Sequence, residues 1–230
     1  MVGQGKESGT PVAVWDLPVR LFHWSLVVLL VIAWSTAQAG LSWMTYHLWT
    51  GYAVLTLILF RLLWGIFGSQ HARFSDFIAP PGAAWCYARQ LAAGRHPVYL
   101  GHNPLGGYMV ALLLTLVLIQ VGTGLFATDD ILVSGPLADR VPRRINRLLT
   151  GLHKLNVNLL IAAATVHVAA IGYYRWRFGE NLVRAMVTGK KILPPERVPS
   201  PPPEERSALG RAAGLLVLSA LAVYAVVNGF

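Results

Sequence analysis

An all-α integral membrane helical bundle is the fold this sequence predicts, on three observations. Only 13% of its 230 residues are charged and 55% are apolar, where soluble chains average nearer 25% charged. The charges are segregated, leaving uncharged stretches long enough to cross about 30 Å of hydrocarbon as helices. The formal charge of +9 is spread over segments that flank apolar runs rather than clustered on a polar surface, which argues against nucleic acid as a partner.

The apolar periodicity predicts five spans, at 17–39, 44–67, 105–127, 148–174 and 208–227. Residues 1–16 precede them as an N-terminal segment, 17–190 form a four-helix core, 191–207 a linker and 208–230 the additional fifth helix. The linker is rich in proline (Pro194, Pro195, Pro199, Pro201, Pro202 and Pro203) and reads as extended chain. Ala37-Gln38-Ala39 resembles a signal-peptidase site behind helix one. Retention of that helix is expected, because its apolar run exceeds a secretory core and it carries Arg20, Phe22, His23 and Trp24 near its start. With the N-terminus in the cytoplasm, 14 Lys and Arg fall on the inner side and 5 on the outer, so the expected bacterial inner-membrane topology is N-terminus inside, C-terminus periplasmic. Cys86 is the single cysteine, so there is no intrachain disulfide and no Cys-x-x-Cys-His for covalent haem attachment.

Seven histidines divide by position. His71, His96 and His102 fall in the inner loop between helices two and three, where solvated or capping roles are usual. His23, His47, His153 and His167 fall within spans, where an ionisable side chain is costly and marks a functional site by default. A lone membrane histidine also serves as an interhelical hydrogen bonder, but four together follow a pattern. His153 and His167 are 14 residues apart, which returns them to within about 40° of one face and separates them by about 21 Å along the axis. Helix four runs from outside to inside, so His153 lies at the level of His47 and His167 at the level of His23. Two cross-helix pairs result, His23 with His167 and His47 with His153. Bis-imidazole ligation of two b-type haems requires this arrangement, with ligands reaching each flat macrocycle from opposite sides in a bundle core. Gly51, Ala162 to Ala164, Gly122 and Gly124 offer room, although small residues also serve helix packing. Arg20 and Arg61, and Arg147 or Lys154 at the outer face, are candidate partners for haem propionates.

Pro18-Val19-Arg20-Leu21-Phe22-His23-Trp24, His47 followed by Gly51, Gly101-His102-Asn103-Pro104, and His153 with His167 resemble the prokaryotic cytochrome b-561 family, which includes the cytochrome b subunit of nickel-iron hydrogenases. The resemblance spans Trp15 to Lys191. It implies a four-helix diheme core exchanging electrons between the quinone pool and a redox partner, with those four histidines as axial ligands. The fifth helix is additional to that core. The Thr128-Asp129-Asp130 loop and the Glu180-Asn181-Leu182-Val183-Arg184 segment look more like the stand-alone or cytochrome-c-associated branch, so a periplasmic c-type cytochrome is the expected outer partner, approached through Asp129, Asp130 and Asp139. An alternative is a membrane anchor and electron relay for a hydrogenase or other dehydrogenase. A third reading, a histidine-based metal or proton transporter, would call for acidic or sulfur ligands within the spans, and Asp16 at a boundary is the one acidic residue there. A quinone site needs an apolar slot with a polar handle; the sequence offers Trp, Tyr, His and Arg at both surfaces. Assembly into oligomers is compatible with all three.

Overall fold

The computed structural model describes residues 9–129, 131–193 and 209–229. The proline run of the linker, Asp130 and the first eight residues lie outside the described residues. A short strand β1 (Thr10–Ala13) leads into α1 (Leu17–Gln38), α2 (Met44–Phe67), the short α3 (Phe74–Phe77), α4 (Pro81–Ala92), α5 (Pro104–Gly124), α6 (Arg143–Phe178), α7 (Leu182–Thr188), strand β2 (Lys190–Leu193) and α8 (Leu209–Asn228). Five of these helices, α1, α2, α5, α6 and α8, are long and apolar enough to cross a membrane. Their lipid-facing surfaces carry exposed Leu, Val and Ile, as a bundle bathed in hydrocarbon requires. The chain is thus a multi-pass membrane bundle, all-α among the described residues apart from one two-stranded ribbon.

The helix ends follow from local chemistry. Asp16 caps α1 by accepting from the Val19 amide at 2.7 Å, with Pro18 in the first turn. Asn103 caps α5 in the same way through the Gly106 amide at 2.8 Å, ahead of Pro104. α5 stops at Gly124, short of the expected 127, and its last residues close into tighter turns, with Phe126 donating to Thr123 and Ala127 to Gly124. α6 is longer than expected at both ends. Its terminal turns hold Arg143, Arg144, Arg147, Arg175 and Arg177, which a hydropathy window rejects although arginine is a good helix former. Gly179, at φ 71°, supplies the left-handed residue that ends it.

α2 is the hub. It packs against α1, α5 and α8, while α6 packs along α5. Val54, Ile58 and Trp64 on α2 are fully buried and meet Val19 and Phe22 of α1, Leu114 and Val117 of α5, Leu160 of α6 and Ala212 of α8 in one cluster. At the N-terminal end of the bundle, Asp16 also accepts from the Trp64 indole and the Ser69 hydroxyl, tying the start of α1 to the end of α2.

The loop between α2 and α5 closes over that end. Gly65 and Gly107 leave room for it, since a Cβ at Gly65 would strike the Phe74 ring and one at Gly107 the Phe77 carbonyl. Arg61, 3% exposed, donates to the Ala72 carbonyl at 3.0 Å and lies over the rings of Phe74 and Phe77, with Asp16 in electrostatic reach. Tyr87 of α4 meets Tyr174 of α6 hydroxyl to hydroxyl at 2.9 Å, and Asn103 donates to the same Tyr174 oxygen. His102 is wedged between Trp15 and Phe77, with its Nδ1 sealed from solvent and unpaired. Burial, reinforced by Arg61, lowers its pKa to about 3, so it is neutral at ordinary pH. Strand β1 pairs antiparallel with β2, Thr10 opposite Leu193 and Ala13 opposite Lys190.

Two outcomes follow for stability. Asp16→Ala removes a cap and strands the Trp64 N–H, so it should cost roughly 2–4 kcal/mol, with Asp16→Asn recovering part; thermal unfolding followed by circular dichroism reads both. His102 has a folded pKa far below its unfolded value near 6.5. Between those values the unfolded chain binds a proton that the folded chain refuses, so stability falls as pH drops below about 6.5 and continues falling toward 3. His102→Gln should make the melting temperature less sensitive between pH 7 and pH 5; an unchanged slope would contradict the assignment.

Candidate functional site

The four histidines of the spans face the space between α6 and the α1–α2 pair. α6 is packed along α5 but makes no extensive contact with α1 or α2 among the described residues. All four side chains are half-buried. His47 of α2 and His153 of α6 are brought together, with ring centroids 6.2 Å apart and planes at 90°. His23 of α1 and His167 of α6 lie within electrostatic reach of each other near the N-terminal end. The two pairs are therefore at different heights, as the 14-residue spacing on α6 requires.

Each ring of the upper pair is oriented by a backbone carbonyl. His47 Nδ1 lies 2.8 Å from the Ala33 carbonyl of α1, and His153 Nδ1 lies 2.9 Å from the Gln120 carbonyl of α5. Since a carbonyl only accepts, both Nδ1 atoms carry the proton and both Nε2 atoms keep a lone pair, a tautomer assigned from the bonding network. The Gln120 side-chain amide lies 3.1 Å from His153 Nε2, and is itself steered by Asn156, whose amide donates to Gln120 Oε1 at 2.8 Å and to the Leu116 carbonyl at 2.9 Å. Gly124 permits the close approach of α6, since its Cβ would lie 3.0 Å from the His153 ring. A Cβ at Gly51 or Gly122 would meet nothing.

This geometry suits a flat metal macrocycle. An imidazole nitrogen sits about 2.0–2.1 Å from a transition-metal ion, so two imidazoles on opposite sides of one ion have centroids roughly 6 Å apart. The 6.2 Å separation of His47 and His153 meets that requirement. The carbonyl bonds on both Nδ1 atoms are the outer-shell contacts that ligating histidines usually have. At the lower pair, His23 Nδ1 is sealed and unpaired.

Arg20 and Arg61 differ in what they have left to offer. Arg20 donates through Nη1 to the Val187 carbonyl at 2.6 Å, and its Nε is sealed without a partner. Arg61 is buried beneath the capping loop on Ala72, Phe74 and Phe77. Two further groups at this end escape sequence reasoning: His102, sealed at Nδ1, and His71, whose Nδ1 donates to Asp76 at 3.0 Å while its Nε2 is sealed and unpaired. Only the Gly101-His102-Asn103-Pro104 motif signals the first, and nothing local signals the second. His96 stacks on Phe178 and pairs with Glu180. At the opposite end, Asp129 is turned into its own loop, accepting from the amides of Ile131, Leu132 and Val133, which hold its pKa below the usual carboxylate range. Cys86 is exposed. Among the described residues no three His, Cys, Asp or Glu side chains gather as a set that would hold a bare metal ion.

A scan against protein families matches residues 14–189 to the family described as prokaryotic cytochrome b561. Comparison with curated proteins and with solved structures finds no match. The matched stretch runs from the residues before α1 to the end of α7, contains all four histidines of the spans and stops short of α8. The chain belongs to the prokaryotic cytochrome b561 family and is a membrane b-type cytochrome of electron transfer.

Proposed function

We propose that the chain holds two b-type haems, one between His47 and His153 and one between His23 and His167, and passes single electrons between the quinone pool and a redox partner. The observation that carries this reading is the His47–His153 pair, 6.2 Å apart across the gap beside α6 with each Nδ1 on a backbone carbonyl. A haem with two imidazole ligands supplies a one-electron Fe3+/Fe2+ couple and no open position for oxygen chemistry. The chain's part is to fix ligand tautomer and height, to exclude water with the α2–α5 loop, and to supply cationic partners. Arg20, whose Nε has no protein partner, is the proposed cation for a propionate of the lower haem.

The charge balance of the loops supports an N-terminus in the cytoplasm and a C-terminus in the periplasm. The unpaired ring nitrogen of His102 supports a quinone headgroup at the N-terminal end. Quinone carbonyls need hydrogen-bond donors in an apolar wall, and His102, between Trp15 and Phe77, meets that need in the tautomer that carries its proton on the unpaired Nδ1 once the headgroup displaces the packing around it. A periplasmic c-type cytochrome is the proposed partner at the opposite face, near the loop that Asp129 organises.

The dithionite-reduced protein is expected to show a b-type α-band with about two haems per chain by pyridine haemochrome assay. His47→Ala and His153→Ala should each lose the same one of two spectral components, and His23→Ala and His167→Ala the other. Full haem content in all four variants would end the assignment. His102→Ala should retain both haems yet slow electron exchange with a soluble quinol analogue by about tenfold, the equivalent of one lost hydrogen bond. Unaltered quinol kinetics would remove His102 from the quinone site.

A further inference from the structure

The seam between α2 and the fifth helix holds a feature that the diheme function does not use. A cleft of about 560 Å³ opens at the N-terminal end of the bundle, lined by Ile66, Phe67, Gly68, Arg73, Arg211 and Leu215. Arg211, in the first turn of α8, donates from Nη1 to the carbonyl of Phe67, the last residue of α2, at 2.8 Å. That carbonyl is one of the four at a helix C-terminus with no partner inside the helix, so the bond both caps α2 and fixes the guanidinium at the cleft. Arg73, from the turn that enters α3, lines the same opening. Among the described residues no acidic side chain lines the cleft, and neither arginine pairs with a carboxylate. Below the two cations the wall is apolar and faces lipid, with Ile66 60% and Phe67 54% exposed.

We infer that this cleft binds the phosphate headgroup of an anionic phospholipid. Two guanidinium groups suit a phosphate, which they engage through forked N–H donors. Basic pockets between membrane helices at the surface are where anionic headgroups dock. A lipid rather than a free anion is indicated by the exposed apolar side chains of Ile66 and Phe67 in the same lining, against which acyl chains would lie. The site exists only because α8 lies against α2, which gives the fifth helix a role beyond packing: from beyond residue 189, where the family match ends, it supplies Arg211 and Leu215 to a seam whose other wall belongs to the matched core.

The test uses the full haem-loaded chain, stripped of lipid in detergent and titrated with dioleoyl phosphatidylglycerol, dioleoyl phosphatidylcholine or inorganic phosphate, with binding read by native mass spectrometry. One tightly held phosphatidylglycerol per chain is expected, with phosphatidylcholine retained far less. Arg73→Gln should weaken retention about fivefold, the value of one cation at a membrane surface, and Arg211→Gln at least as much. Arg89→Gln, an exposed arginine on α4 outside the cleft, should change nothing. The Arg73 side chain makes no hydrogen bond with the described residues, so its substitution should spare the fold, as the haem spectrum will report. Should Arg73→Gln lose haem, Arg73→Lys serves instead, keeping the charge while losing the fork and weakening retention by a smaller factor. Equal retention of the two lipids, an Arg89→Gln effect as large as that of Arg73→Gln, or full competition by inorganic phosphate at matched concentration would each overturn the assignment.

Discussion

The arrangement depends on keeping α6 away from α1 and α2. A polar side chain inside hydrocarbon must find a partner, and four imidazoles on three helices would ordinarily draw those helices together. Here α5 takes up α6 on one side and α2 on another, acting as a spacer that fixes the width between the histidine-bearing faces. The 6.2 Å separation of His47 and His153 is a property of that spacer as much as of the two residues. The Gln120 carbonyl that holds His153 and the glycine that admits its ring both belong to α5, although α5 contributes no histidine of its own.

The two ends of the bundle are built by different means. The upper pair is oriented by backbone carbonyls of neighbouring helices, groups that no side-chain substitution removes. The lower pair lies beneath a folded loop whose interior holds Arg61, His71 and His102, with three sealed nitrogens at this end (of Arg20, His71 and His102) left without protein partners. Buried polar atoms without partners are uncommon in folded chains. Among the described residues they gather at one end of the bundle, beside His23 Nδ1.

Much of this was legible in the amino-acid sequence. α2 occupies the expected 44–67 residue for residue, because its apolar run is bounded sharply and followed by Gly68 and Ser69. The pairing of heights needed only helical rise and alternating direction. The capping loop was not legible: α3 and α4 are short, weakly apolar and meet partners far along the chain, as Tyr87 does with Tyr174. Nor was the β1–β2 ribbon, whose partners are some 180 residues apart and whose strands are four residues each. His71 and His102 sat among loop residues in the sequence and became interior only when that loop folded down. Arg61 and Arg20 read alike as boundary cations, yet one is consumed by the loop and the other keeps a free nitrogen.

The ribbon also changes how the chain is divided. By pairing Thr10 with Leu193, it brings the entrance and exit of the histidine-bearing unit to a single point on one face of the bilayer. A unit whose ends meet can accept an appendage without being reopened, since anything attached beyond β2 hangs from a junction already closed. α8 is such an appendage, laid against α2 from outside. The fifth helix thus joins the bundle mainly through α2 and the linker, with the ends of the histidine-bearing unit already tied to each other by the ribbon.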